Sequence, residues 1–213
     1  MVLGVAEPDA RLLRELVAAS PDHRLAPDTS YCAAVSAAPP LRRPADVARW
    51  TATVERGDLV WLLAEVEDSG ALAQLVAPDV AAGIGLPRRG PEGALRSVLD
   101  AAQAFRLGRR QGLPVLFRDD WVDATLLAAG DALEDVCATA VAVARRSPHL
   151  ADAVRAFADH GLSVVGAARA LFVHANTVIY RLERWQQLTG WDARTFDGLS
   201  RSMAALAREQ DGS

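Results

Sequence analysis

The sequence contains no lysine: all 23 of its basic residues are arginine, and isoleucine occurs only at Ile84 and Ile179. With its many alanines, this pattern is typical of a genome with GC-rich codons rather than of one function. The 27 acidic residues outnumber the basic ones, so the net charge is −4. Because a protein that coats nucleic acid needs a large positive surface, any contact with nucleic acid must be local.

Cysteine is also scarce. Cys32 and Cys137 lie in apolar surroundings more than one hundred positions apart, without the spacing of a metal or redox site. They predict two reduced thiols in a cytoplasmic protein. The N-terminus lacks a positive segment and an apolar core, so we expect no signal peptide. No apolar run approaches the roughly 20 residues that cross a bilayer, so we expect no membrane contact.

The 213 residues are enough for two domains, and their patterns change along the chain. An amphipathic helix over 8–19 and a linker occupy 1–27. Strand patterns at 31–37, 58–66, 79–84 and 115–117 alternate with helix patterns at 45–56, 69–76 and 91–110. From Trp121 onward only helices are indicated, at 131–146, 150–160, 163–171, 175–188 and 197–209. The fold class is therefore α+β: an α/β sheet-and-helix domain over 28–130, followed by an all-α domain over 131–213.

The charge is divided unevenly between these domains. Residues 133–213 carry nine arginines and nine acidic residues, whereas residues 1–132 carry fourteen arginines and eighteen acidic residues. The excess of negative charge therefore belongs to the first domain, and the second is neutral.

The segment 163–190 has the pattern of a helix-turn-helix. Ser163 is a suitable N-cap, and the first helix has one face of small or apolar residues at Val164, Ala167, Ala168 and Leu171. Three residues, 172–174, connect it to a longer helix in which Val178, Leu182 and Trp185 form an inward stripe. In such a motif the N-terminal part of the second helix meets base edges in the major groove of DNA.

The stripe leaves Asn176, Thr177, Tyr180, Arg181 and Arg184 on the outer side of the second helix. Asparagine can bond adenine, threonine can meet a base edge or phosphate, and arginine can bind guanine or phosphate. The alternative is that any two helices joined by three residues have this pattern, and that Asn176 and Thr177 help to cap a solvated helix. Spacing alone leaves both interpretations open.

The stretch 173–190 resembles the C-terminal helix-turn-helix of PucR/CdaR-type bacterial transcriptional regulators. Shared features are His174, Asn-Thr at 176–177, Tyr-Arg-Leu at 180–182 and Leu-Thr-Gly at 188–190, and residues 150–171 also match. Residues 31–129 are more weakly similar to the family's middle domain, a degenerate relative of the GGDEF cyclase fold, notably at 82–87 and in the helix after Gly93. The resemblance implies binding to double-stranded DNA. The candidate contacts are His174, Asn176, Thr177, Tyr180, Arg181 and Arg184.

The sequence departs from the family at Ala175 and Ile179, where members often carry arginine. Few cations then remain to neutralise phosphates, so we expect a homodimer that places two recognition helices one DNA turn apart on an inverted repeat. The alternative is a protein–protein interaction module whose helix-turn-helix no longer binds DNA. Family members usually carry a ligand-sensing domain ahead of the middle one, and the sequence names no effector ligand.

Signals of an enzyme are weak. The GGDEF segment itself is missing, and the glycines at 83, 85 and 90 indicate a turn because they lack the spacing of a phosphate-binding loop. Asp119, Asp120 and Asp123 could bind a divalent cation, but we favour a solvated loop that leads into a helix. The four histidines show no metal-ligand spacing. We therefore expect no catalytic activity, cofactor or metal.

Overall fold

A computed structural model of the chain describes residues 10–20, 24–39, 47–129 and 133–209. The chain separates into two compact units, Met1–Ala128 and Ala129–Ser213. The fold is α+β, with a sheet and helices in the first unit and helices in the second. The ends of three predicted helices, at residues 8–9, 45–46 and 131–132, lie outside the described residues.

The first unit is built around one mixed sheet. Its elements are α1 (Ala10–Ala18), β1 (Ser30–Ser36), β2 (Thr51–Arg56), β3 (Leu59–Glu65), α2 (Ser69–Ala73), β4 (Ala82–Ile84), β5 (Arg88–Arg89), α3 (Gly90–Gln111), β6 (Pro114–Leu116) and α4 (Phe117–Ala128). The strand order is β2-β3-β1-β4-β6, and β5 pairs with β1. The β4–β6 pair is parallel and the other pairs are antiparallel.

Both faces of the middle strands are buried, as their continuous apolar runs predict. In β1, Tyr31 and Val35 pack in a core with residues of α1 and α3, whereas Cys32 and Ala34 pack on the opposite face with Leu72 of α2. The same alternation continues in β3. The predictions of strands at 31–37 and 58–66 are therefore confirmed.

The predicted helix over 45–56 is wrong where the structure describes it, because Thr51–Arg56 is the edge strand β2. It forms a hairpin with β3, with Gly57 at φ +62° in the turn and Val54 opposite Trp61. The apolar residues Val47, Trp50 and Val54 suit a helical period, but β-branched residues in this stretch also suit a strand. The residues form a strand because β3 offers them backbone hydrogen bonds along its free edge.

Gly83 lies in β4, within the strand predicted over 79–84, rather than in the turn that the glycines indicated. Gly83 and Gly85 instead allow α3 to pack closely on the sheet. A Cβ atom at Gly83 would collide with the backbone of Ala101 and Phe105, and one at Gly85 would collide with Ser97. Glycine is thus required here for a close approach between strand and helix.

The acidic cluster is also placed differently from the prediction of a loop. Asp119 and Asp120 lie in the first turn of α4, which is kinked at Asp120. Arg118 pairs with Asp68 at 2.9 Å and with Asp119 at 3.3 Å. Burial, followed by the charges of Asp119 and Asp123, raises the pKa of Asp120. Within the described parts of the chain, no cluster of His, Cys, Asp or Glu side chains is suited to hold a metal.

The second unit consists of helices, as predicted. They are α5 (Glu134–Arg146), α6 (Pro148–Asp159), α7 (Val164–Ala170), α8 (Ala175–Thr189) and α9 (Phe196–Glu209). Trp185 of α8 is fully buried, and its Nε1 donates a hydrogen bond of 2.9 Å to Ser202 Oγ of α9. Ser202 donates in turn to the carbonyl of Gly198. Among the described helices, none has the length and apolar character that a membrane crossing requires.

Candidate nucleic-acid interface

The first helix of the motif, α7, begins and packs as its sequence predicts. Ser163 Oγ accepts a hydrogen bond of 3.1 Å from the backbone N–H of Gly166, which confirms the N-cap. Ala167 and Ala168 are buried in the core of the unit, with Val164 and Leu171 packed beside them. These small side chains allow α7 to lie close to α6 and α8.

The turn after α7 is tight because its backbone groups bond back to the helix. Phe172 N–H donates to the carbonyl of Arg169 at 3.2 Å, and Val173 N–H donates to that of Ala168 at 3.0 Å. Phe172 has a left-handed φ of +55°, and its side chain is 96% exposed. The apolar ring therefore gains no packing here in return for an unfavourable backbone conformation.

His174 caps the second helix, α8. Its Nδ1 accepts a hydrogen bond of 3.2 Å from Asn176 N–H, and its carbonyl accepts one of 2.9 Å from Thr177 N–H. A neutral imidazole that accepts through Nδ1 carries its proton on Nε2. The exposed ring thus offers a donor to an outside partner. The cap is His174, and Asn176 and Thr177 contribute backbone rather than side-chain groups to it.

The rest of α8 separates into an inner and an outer side. Val178, Leu182 and Trp185 have no exposed surface. On the other side, Asn176, Tyr180 and Arg184 are exposed, and Thr177 and Arg181 are half-buried. Since these five residues and His174 occupy the exposed turns of one helix and its cap, the structure places all six sequence-predicted candidates together.

The charges beside this surface include one residue that the sequence analysis missed. Arg194, beyond the end of α8, lies 3.8 Å from Glu183 and 2.8 Å from Asp192. The hydrogen bond from Arg194 lowers the pKa of Asp192, and a smaller effect of burial opposes this shift. Arg194 therefore counters the acidic charge of Glu183. No local spacing pointed to this role, because the left-handed Gly190 reverses the chain between the two residues.

Arg184 is directed along the helix rather than across it. Its Nη1 donates a hydrogen bond of 3.0 Å to Gln187 Oε1, one turn towards the C-terminus. Arg181 and the exposed Arg169 have no ion pair within the part of the chain that the structure describes. Their positive charges are available to an anionic partner.

The segment that carries this surface matches a known domain. Residues 150–207 match the model of the PucR C-terminal helix-turn-helix domain. This part of the chain is a PucR-type helix-turn-helix domain. It takes in α7, α8 and the larger parts of α6 and α9, so the resemblance drawn from residues 150–190 is confirmed for this domain.

Two further comparisons concern the whole chain. A solved structure, the regulator of polyketide synthase expression from Bifidobacterium adolescentis, is similar over 86% of this chain and 82% of its own, at 20% identity and a TM-score of 0.38. At these values the likeness does not bear on function. No curated protein matches the sequence.

Proposed function

We propose that the protein is a bacterial transcriptional regulator that binds operator DNA through its PucR-type helix-turn-helix. The observation that carries this proposal is the outer side of α8, where amide, hydroxyl and guanidinium groups follow directly after the turn of that motif. In helix-turn-helix proteins the second helix lies in the major groove, with its N-terminal residues at base edges. DNA is therefore the partner with the matching shape and chemistry.

The candidate residues form two groups, one near the base edges of the DNA and one near its phosphates. Asn176, Thr177 and Tyr180 lie in the first two turns of α8 and face base edges. Arg181 and Arg184 lie farther along the helix and bind phosphates, which fix the register of the protein on the duplex. His174 adds the Nε2–H donor that its capping bond leaves free.

Binding requires two copies of the chain. The motif from 162 to 190 has only Arg169, Arg181 and Arg184 as cations, and affinity for DNA rises with the number of phosphates neutralised. A homodimer doubles these contacts and sets two recognition helices about 34 Å apart, which matches an inverted repeat. We propose this dimer as the DNA-binding form.

The first domain, over 28–130, transmits a signal or holds the dimer together and catalyses no reaction. A broad open pocket beside β3 has Glu65, Glu67 and Asp68 among its described lining residues, together with Arg49. Asp68 is also paired with Arg118 at 2.9 Å. The absence of the GGDEF segment from the sequence, rather than this pocket, supports a GGDEF-like domain without nucleotide chemistry.

The test is the salt dependence of DNA binding, measured by fluorescence anisotropy with genomic fragments. The salt concentration is varied from about 50 to about 200 mM, a range over which binding through phosphate contacts loses much of its affinity. We expect the logarithm of affinity to fall linearly with that of salt concentration. The double variant Arg181→Ala with Arg184→Ala should reduce the slope by about 0.9 for each phosphate that is no longer neutralised.

The matched control is Arg201→Ala, since Arg201 pairs with Asp197 on α9, the helix that packs against the inner face of α8. It should leave the slope unchanged. The proposal is wrong if no salt-sensitive complex forms, or if the double variant binds as the unaltered protein does. If no complex with DNA forms, the protein–protein alternative stands, and the exposed Phe172 and Tyr180 are its first candidates for contact.

A further inference from the structure

The first six residues of α8 contain no charged side chain. Residues 175–180 read Ala-Asn-Thr-Val-Ile-Tyr, and Val178 is buried. Asn176 is exposed, Ile179 is 39% exposed and Tyr180 is 62% exposed. The exposed side chains of this stretch are therefore one amide, one aliphatic group and one phenol, with the half-buried hydroxyl of Thr177 beside them.

These three side chains lie side by side. Ile179 and Tyr180 follow Asn176 at i+3 and i+4, positions whose Cβ atoms are about 5–6 Å apart on a helix surface. Base pairs in DNA follow each other at about 3.4 Å. The cluster therefore covers two neighbouring base pairs of one half-site.

Each group has a preferred base. An asparagine amide bonds N6 and N7 of adenine, and an aliphatic side chain packs on the C5-methyl group of thymine. Guanine is read most often by arginine or lysine, and residues 175–180 contain neither. Arg181 and Arg184 come about 7.5 and 12 Å farther along the helix axis than Asn176, at about 1.5 Å per residue. Arg184 is moreover turned away from these bases by its bond to Gln187.

We infer that the protein selects operator half-sites whose central base pairs are A·T, with Asn176 on adenine and Ile179 on the methyl group of the adjoining thymine. This inference rests on the proposed function and names its class of DNA sequence. Arg181 and Arg184 hold the protein on the backbone and contribute to affinity without selecting bases.

The experiment begins with selection of duplexes from a randomised library by the full chain. Each central A·T pair changed to G·C should weaken binding roughly 5- to 150-fold. In the selected duplex, uracil in place of thymine removes one methyl group and should weaken binding about fourfold. Replacement of adenine by 7-deazaadenine removes N7 and should weaken it about fivefold.

The variants assign each effect to its residue. Ile179→Ala should bind uracil and thymine duplexes equally, and Asn176→Ala should not distinguish 7-deazaadenine from adenine. Arg184→Ala is the control, because it should weaken binding to every duplex and still prefer thymine to uracil. Circular dichroism of each variant checks that the helices are intact.

Different results would contradict the proposed DNA binding and the proposed preference for A·T pairs. If no duplex forms a salt-sensitive complex, the proposed function is wrong and this inference falls with it. If a complex forms but its selected half-sites have G·C pairs at the centre, or if uracil binds as well as thymine, only the A·T inference is overturned.

Discussion

Phe172 holds a left-handed backbone conformation at φ +55° in the turn of the helix-turn-helix, with its ring 96% exposed. A left-handed conformation costs an L-residue about 1–2 kcal/mol. Glycine avoids that strain but loses about 0.5–1 kcal/mol more chain entropy on folding. Because the exposed ring has almost no packing to lose, Phe172→Gly should stabilise the helical unit by about 0.5–1 kcal/mol.

Native-state hydrogen exchange of the backbone amides of α8 measures this change in the stability of the helical unit. Val178, Leu182 and Trp185 are fully buried, so exposing this helix requires opening of the unit's core. The expected stabilisation slows exchange about 2- to 5-fold, at about 1.4 kcal/mol for each tenfold change.

Two controls separate backbone strain from side-chain effects. Phe172→Ala keeps the strained backbone and should give no gain. Leu162→Gly relieves a similar strain at φ +61°, but Leu162 is only 53% exposed, so the loss of packing should offset the gain. The reasoning is refuted if Phe172→Gly speeds exchange, or if the alanine variant gains as much as the glycine variant.

Two other predictions concern His174 and Cys32. His174→Ala removes the cap on Asn176 N–H and should destabilise the helical unit by about 1 kcal/mol in urea unfolding, whereas His174→Ser should restore the cap; equal stability of the two variants would contradict the capping role. Burial raises the pKa of Cys32 from its usual 9.0 to about 12, with a smaller opposing effect from Ser97 and small additions from Asp100 and Asp68. Because the folded-state pKa is raised, this contribution to stability is complete below pH 9.0 and is lost as the pH rises towards about 12. Cys32→Ala should flatten that alkaline decline in thermal unfolding, and an unchanged decline would show that other groups cause it.

The local sequence pattern was sufficient to predict secondary structure where the apolar residues follow one clear periodicity and the tertiary contacts favour the same structure. The apolar runs of β1 and β3 favour a strand buried on both faces over a helix, and the stripe Val178, Leu182 and Trp185 has a helical period. The Ser163 cap depends on bonds within four residues, so it too was predictable. These features determined the fold class and the two helices of 163–190 without any tertiary information, and the family resemblance of 173–190 identified them as a helix-turn-helix.

The tertiary structure decided what depends on distant partners. Thr51–Arg56 is a strand because β3 offers it backbone hydrogen bonds, and this outweighs the helical spacing of its apolar residues. Gly83 is required by the backbone of α3 rather than by a turn, and Arg194 counters Glu183 only because the chain reverses at Gly190. The absence of lysine and the acidic net charge are properties of the sequence alone. The apolar stripe of α8 predicted which side of the helix carries the amide, phenol and guanidinium groups. The tertiary structure decided how far each is exposed, because the stripe is buried in a core built from other helices.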